Sequence, residues 1–127
     1  MDDRNLVAVA EQAAATSKVI AGPIAGCTVR AIDGRVFLGC LLEFEDSSLN
    51  LDPISSAIGA GRCEGVRCVD RIGYYSPTGG ELPRIPDATL RRLQEIAAPG
   101  LAVIFSPGTG KRVEKSLDLL LTEAGLQ

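Results

Sequence analysis

The chain is 127 residues long, 46% hydrophobic and 23% charged, with a formal net charge of −3 at pH 7. Such a composition suits a single folded unit over residues 1–127, burying roughly two thirds of its unfolded surface, and it excludes the polar, charge-dense signature of disorder. The basic residues are scattered and form no Lys/Arg stripe to displace counterions, so nucleic acid is not an expected partner.

Asp2 and Asp3 can cap a first helix, in which Leu6, Val9, Ala10, Ala13 and Ala14 recur at helical spacing until Gly22-Pro23 ends it. Cys27 to Ile32 alternates small or apolar with polar residues. Asp33-Gly34 is a hairpin-turn dipeptide, and Arg35 to Leu42 is the second strand of an antiparallel pair. Asp52 is an N-cap followed by Pro53 at the first helical position, and Ile54, Ala57 and Ile58 carry a second helix to Gly61. Val66 to Tyr75 is β-rich, and Pro77 with Gly79-Gly80 opens an irregular connection to Pro83 and Pro86. Leu90, Leu93, Ile96 and Ala97 form a third helical stripe, stopped by Pro99-Gly100. Leu101 to Phe105 is the compact apolar run of a buried strand, and Ser116 caps a last helix with Leu117, Leu120, Leu121 and Ala124 turned inward. This order, without repeat or linker, predicts a layered α/β domain with a mixed sheet.

The apolar stretches are short and interrupted by Gly, Pro or charge, and Met1-Asp2-Asp3-Arg4 is acidic rather than a basic leader, so neither a membrane span nor a signal peptide is expected. Cys27, Cys40, Cys63 and Cys68 are then read as reduced structural thiols in a cytoplasmic protein. Ser106 to Lys111 contains Gly-Thr-Gly-Lys after a strand, but a phosphate loop needs glycine where Phe105 stands and Ser or Thr where Arg112 stands, so the glycines are turn chemistry. Arg91 and Arg92 on the third helix, with Arg67 and Arg71 on the third strand, either bind an anion, lie at a subunit contact or form a solvated face. Tyr74 and Tyr75 line a pocket mouth or an interface.

The element order and the run Asp33-Gly34-Arg35-Val36-Phe37-Leu38-Gly39-Cys40 resemble the small homotetrameric cytidine deaminases and the related blasticidin S deaminases over nearly the whole chain. The resemblance implies a three-layer α/β/α fold with a mixed five-stranded sheet. It also implies that Glu43 matches the glutamate of the strand-end Asn-x-Glu that grips a nucleoside's ribose, with Leu41 at the asparagine position. In that family Cys-Ala-Glu or His-Ala-Glu opens the second helix and Pro-Cys-x-x-Cys opens the third, together giving three zinc ligands and a proton-shuttling glutamate. Here Asp52, Pro86 and Thr89 fall at the ligand positions and Ile54 at the glutamate position, and the chain contains no histidine.

Neither metal nor other cofactor is therefore expected, because zinc in such a site wants thiolate or imidazole donors. The candidate ligand-binding residues are Leu41, Glu43, Ile54 and Thr89. The candidate acids and bases are Glu43, Asp52 and Asp87, although Asp52, directly before Pro53, is better read as a helix cap, and Asp87 likewise could cap the third helix, its first-turn carboxylate suiting the helix dipole. Two functions stay open. One is a degenerate deaminase-fold protein that binds a small nucleoside-like or heterocyclic molecule, or serves as an assembly or regulatory subunit. The other is a metal-free enzyme reusing the vacated pocket for cyclisation, proton transfer or hydrolysis of a small molecule, as in secondary metabolism. A homodimer or homotetramer is expected on either reading.

Overall fold

The computed structural model describes residues 1–126. Helix α1 spans Asp3–Ala14, and its N-cap is Asp2, whose Oδ1 accepts from the Asn5 backbone N–H at 2.9 Å. Strands β1 (Gly26–Ala31) and β2 (Val36–Cys40) form the expected antiparallel hairpin about Asp33-Gly34, with Gly26 opposite Cys40. Helix α2 (Pro53–Cys63) follows, with Asp52 as its N-cap and Pro53 in its first turn, then β3 (Val69–Tyr75) and α3 (Asp87–Ile96). The chain closes with β4 (Ala97–Ser106), β5 (Val113–Ser116) and α4 (Leu117–Glu123), the last capped by Ser116 as its spacing predicts.

The five strands make one mixed sheet in the order β2-β1-β3-β4-β5. Pairing is antiparallel at β1/β2, β1/β3 and β4/β5, and parallel at β3/β4. A parallel pair cannot be joined by a tight turn, and α3 is the crossover that returns the chain. Alternation along the strands then divides the layers. Cys27, Val29, Ile72, Tyr74, Leu101, Val103 and Phe105 face α2, α3 and α4 in one apolar core, with Ile54, Ala57, Leu90, Leu93, Leu117 and Leu121. On the other face Thr28 donates its hydroxyl to the Leu6 carbonyl at 2.6 Å, fixing α1 against β1. Among the described residues no helix is long and apolar enough to cross a membrane.

Several boundaries and one whole strand depart from the pattern reading. The first helix stops at Ala14, and residues 16–24 form an irregular segment instead of helix. Helix α2 continues past Gly61 to Cys63. Strand β4 begins at Ala97, ahead of Pro99-Gly100, because Ala97 already pairs with Val69. Strand β5 has no apolar alternation to betray it: its residues are exposed or half-buried, and backbone pairing to β4 holds it as an edge strand.

Candidate functional site

The start of α2 is set by Asp52, whose Oδ2 accepts from the Ser55 backbone N–H at 3.1 Å. Its other oxygen, Oδ1, reaches across to α3 and accepts the Thr89 hydroxyl proton at 2.9 Å. The Ser55 hydroxyl lies 3.3 Å from Thr89 Oγ1, and Arg92 donates through Nη1 to Ser55 Oγ at 3.0 Å, with Thr89 Oγ1 at 3.5 Å. A chain of four polar side chains thus staples the first turns of α2 and α3 together. Thr89 and Ile54 are both fully buried, and Ile54 packs in the core below this staple.

Beside the staple lies a cleft of about 320 Å³. Pro23, Ala25, Leu41, Pro53, Pro83 and Pro86 give it apolar walls, and Glu43, Asp52, Tyr74, Ser76, Thr78 and Arg84 give it polar groups. Of the six residues singled out from sequence, Leu41, Glu43 and Asp52 line this space. Ile54, Thr89 and Asp87 do not, because Ile54 points into the core, Thr89 is closed over by its hydrogen bonds, and Asp87 sits at the outer side of α3 with Arg84 Nη2 3.4 Å away. Nor does Asp87 cap α3. The N-cap position is Pro86, without a side-chain hydrogen bond, and Asp87 is the first helical residue, where its charge complements the helix dipole.

Glu43 is held by the segment that precedes β1. Its Oε1 accepts from the backbone N–H groups of Ile20 at 2.7 Å, Ala21 at 3.1 Å and Gly22 at 3.1 Å. The N–H of Ile20 first, then those of Gly22 and Ala21, hold its carboxyl below the usual glutamate range, so it is a fixed carboxylate rather than a group poised to give up a proton near neutral pH. In this irregular segment three consecutive N–H groups thus converge on one oxygen.

Tyr74 is the cleft residue whose part sequence reasoning did not settle. It is 5% exposed, its hydroxyl hydrogen-bonds to no described residue, and burial first, with the Cys27 and Asp52 groups behind it, pushes its pKa up. It therefore remains a neutral hydroxyl that can donate into the cleft. Its position opposite Cys27, both side chains on the core face, follows from strand register, which no local pattern in β3 discloses. Ser55 was equally silent in sequence, although the Asp52-x-x-Ser55 spacing is that of a capped first turn.

The architecture is an α/β/α cytidine-deaminase-like fold. The chain is similar to the cytidine deaminase of Burkholderia pseudomallei, with a TM-score of 0.85 and 22% identity over 94% of this chain and 96% of that one. It is similar to the cytidine deaminase of Mycobacterium leprae with a TM-score of 0.78 and 22% identity, covering 95% and 98% of the two chains, and to that of Bacillus anthracis with 0.66 and 15%, covering 97% and 91%. No family model matches the sequence, and no curated protein matches it. The likeness is one of fold.

Whether the residues present fit a zinc ion is decided by their donors. Asp52, Pro86 and Thr89 offer one carboxylate, no donor and one hydroxyl, and the carboxylate and the hydroxyl are hydrogen-bonded to each other. Among the described residues no three His, Cys, Asp or Glu side chains come together as a metal-holding group. Cys27, the thiol nearest the core, is fully buried, and desolvation raises its pKa well above the ordinary thiol value. This donor set does not fit tetrahedral zinc, which is bound through deprotonated sulfur, imidazole or carboxylate.

Proposed function

We propose that this chain is a degenerate protein of the cytidine-deaminase fold, without zinc deaminase activity, that binds a small nucleoside-like or heterocyclic molecule in the cleft or serves there as an assembly or regulatory subunit. One observation carries this reading: the positions at which the resembling family places two zinc ligands are joined directly by the Asp52–Thr89 hydrogen bond, above a fully buried Ile54 at the glutamate position. An alkyl side chain has no lone pair with which to take a proton from water or hand one on.

The cleft chemistry supports binding. Its walls are largely apolar, while the Tyr74 hydroxyl and Glu43 Oε2, neither engaged in a described hydrogen bond, offer a donor and an acceptor with which to orient a polar heterocycle or a sugar hydroxyl. The competing reading as a metal-free acid–base enzyme is less well supported, because its three candidate carboxylates do not converge. Glu43 is bound by three N–H groups, Asp52 by Ser55 and Thr89, and Asp87 faces Arg84. Ile20, Leu38, Leu49 and Leu51, exposed along β2 and the segments bridged to it, favour a homodimer or homotetramer.

The test is a thermal-shift screen of the purified protein against nucleosides, nucleobases and amino-acid-derived heterocycles, each with and without zinc. A ligand at a hundred times its dissociation constant adds about 2.7 kcal/mol of stability. Stabilisation by one compound class independent of zinc, and abolished by Tyr74→Phe with Glu43→Gln, is the expected result. Zinc-dependent stabilisation by cytidine with ammonia release overturns it. Light scattering that gives a monomer mass overturns the oligomer.

A further inference from the structure

A second cavity lies on the far side of the α2–α3 seam from the cleft, with a volume of about 540 Å³. Its floor is apolar, built from Val29, Ala57, Ile58, Val66, Val69 and Ile96, and its rim carries Arg62, Arg67 and Arg92 with Glu95 as the one acidic group. Like Arg4, Arg91 and Arg112 outside the groove, these three arginines form no ion pair among the described residues, but only these three gather round one cavity. Arg30, Arg35, Arg71 and Arg84 each pair with an aspartate or glutamate. The side chains of Arg62 and Arg67 have neither an ion pair nor a hydrogen bond to any described residue, and the Arg92 side chain meets only the hydroxyls of Ser55 and Thr89. In a chain of net charge −3, three guanidinium groups without carboxylate partners around an apolar floor are a concentration of positive charge that the protein itself does not neutralise.

We propose that this groove binds a small amphiphilic oxyanion, a carboxylate or phosphate monoester carrying an apolar body. The floor excludes water from the apolar part, and the guanidinium groups grip the anionic head through paired N–H donors, a geometry that suits both carboxylate and phosphate. Glu95 discriminates against a ligand with charge spread along its whole length, because only the arginine side of the rim attracts a negative group. The volume lies in the range of small-molecule sites. This site is separate from the deaminase-like cleft and does not rest on the function proposed for it.

Isothermal titration of the intact protein with octanoate, octyl phosphate, octanol and inorganic phosphate decides the matter. The expected result is one molecule of octanoate or octyl phosphate per chain, no measurable binding of octanol, and inorganic phosphate at least about tenfold weaker than octyl phosphate, since it lacks the apolar body. The stronger of the two octyl anions identifies the head group. Arg62→Gln and Arg67→Gln, both exposed residues whose side chains hold no structural bond, should each weaken the octyl anion by about tenfold at unchanged thermal stability. Failure of both octyl anions to bind, equal binding of octanol, or unchanged affinity in the Arg62→Gln, Arg67→Gln double variant overturns the proposal. So does an affinity that follows Tyr74→Phe in the cleft instead of the arginines.

Discussion

The sheet is clasped backbone to backbone on both faces, by α1 at Gly26 and Gly73 and by α2 at Gly39, where an added side-chain carbon would lie 2.0 Å from Pro53 O, whereas α2 and α3 meet each other through side chains. On the α1 face the contact is backbone to backbone. A side-chain carbon at Gly26 would lie 2.3 Å from Ala14 N, and one at Gly73 would lie 2.7 Å from Leu6 C, so α1 has settled to a distance that only glycine permits. On the other face α2 and α3 meet at their first turns through the Asp52–Thr89–Ser55–Arg92 staple, and they leave the cleft on one side of it and the arginine-rimmed groove on the other. A backbone-tight contact has no space to alter, whereas a seam held by side chains can exchange those side chains and so exchange its chemistry.

The largest effect that would test this contrast is Gly26→Ala. It forces a methyl into the α1 backbone and should cost about 3 kcal/mol or prevent folding, read from urea unfolding. Gly59→Ala on the exposed face of α2, where nothing lies within 4 Å, should instead stabilise by roughly 0.5–1 kcal/mol. If Gly26→Ala is as benign as Gly59→Ala, the backbone contact of α1 does not hold that layer.

Asp52→Ala removes the α2 cap and the acceptor for a fully buried hydroxyl at once, and should cost about 2 kcal/mol. A loss no greater than that of an ordinary cap would mean that the bond to Thr89 does not hold the seam.

The smallest effect is a pH dependence. The Glu43 carboxyl is held below its ordinary value of 4.5 by the N–H groups of Ile20, Gly22 and Ala21, so it binds protons less readily folded than unfolded. Its contribution is present above pH 4.5 and is lost as the pH falls through the folded pKa. Melting temperatures recorded from pH 7 down to pH 3 should therefore fall less steeply for Glu43→Gln than for the parent chain, with the variant already less stable at pH 7. Superimposable acid limbs would show that the nest contributes nothing to stability.

Much of the fold was legible because its signals are local. Asp2, Asp52 and Ser116 each cap the helix their position predicts, since a cap needs only a short acceptor three residues from an N–H. Asp33-Gly34 turns the hairpin it announces. Strand β5 was not legible in the pattern, because an edge strand of exposed residues carries no alternation, and the five-stranded sheet came from the family resemblance alone. Of the two structural readings of Asp87, the first-turn charge holds and the cap does not, because Asp is common at both places and Pro86, with φ −56 and ψ 145, takes the cap position by its backbone alone.

The candidate site was legible in part for the same reason. Of the candidate residues named from sequence, Leu41, Glu43 and Asp52 line one cleft. The sequence could not show that Thr89 answers Asp52, that Glu43 serves three N–H groups from a segment about twenty residues earlier, or that Tyr74 turns an unpartnered hydroxyl into the cleft. What the sequence by itself determined is the alternation of helices and strands, their caps and turns, and the kinds of donor at each position, because these depend on neighbours within a few residues. Only the tertiary structure decided which side chains meet, since a hydrogen bond between residues 37 positions apart depends on the crossing of two helices and not on any spacing along the chain.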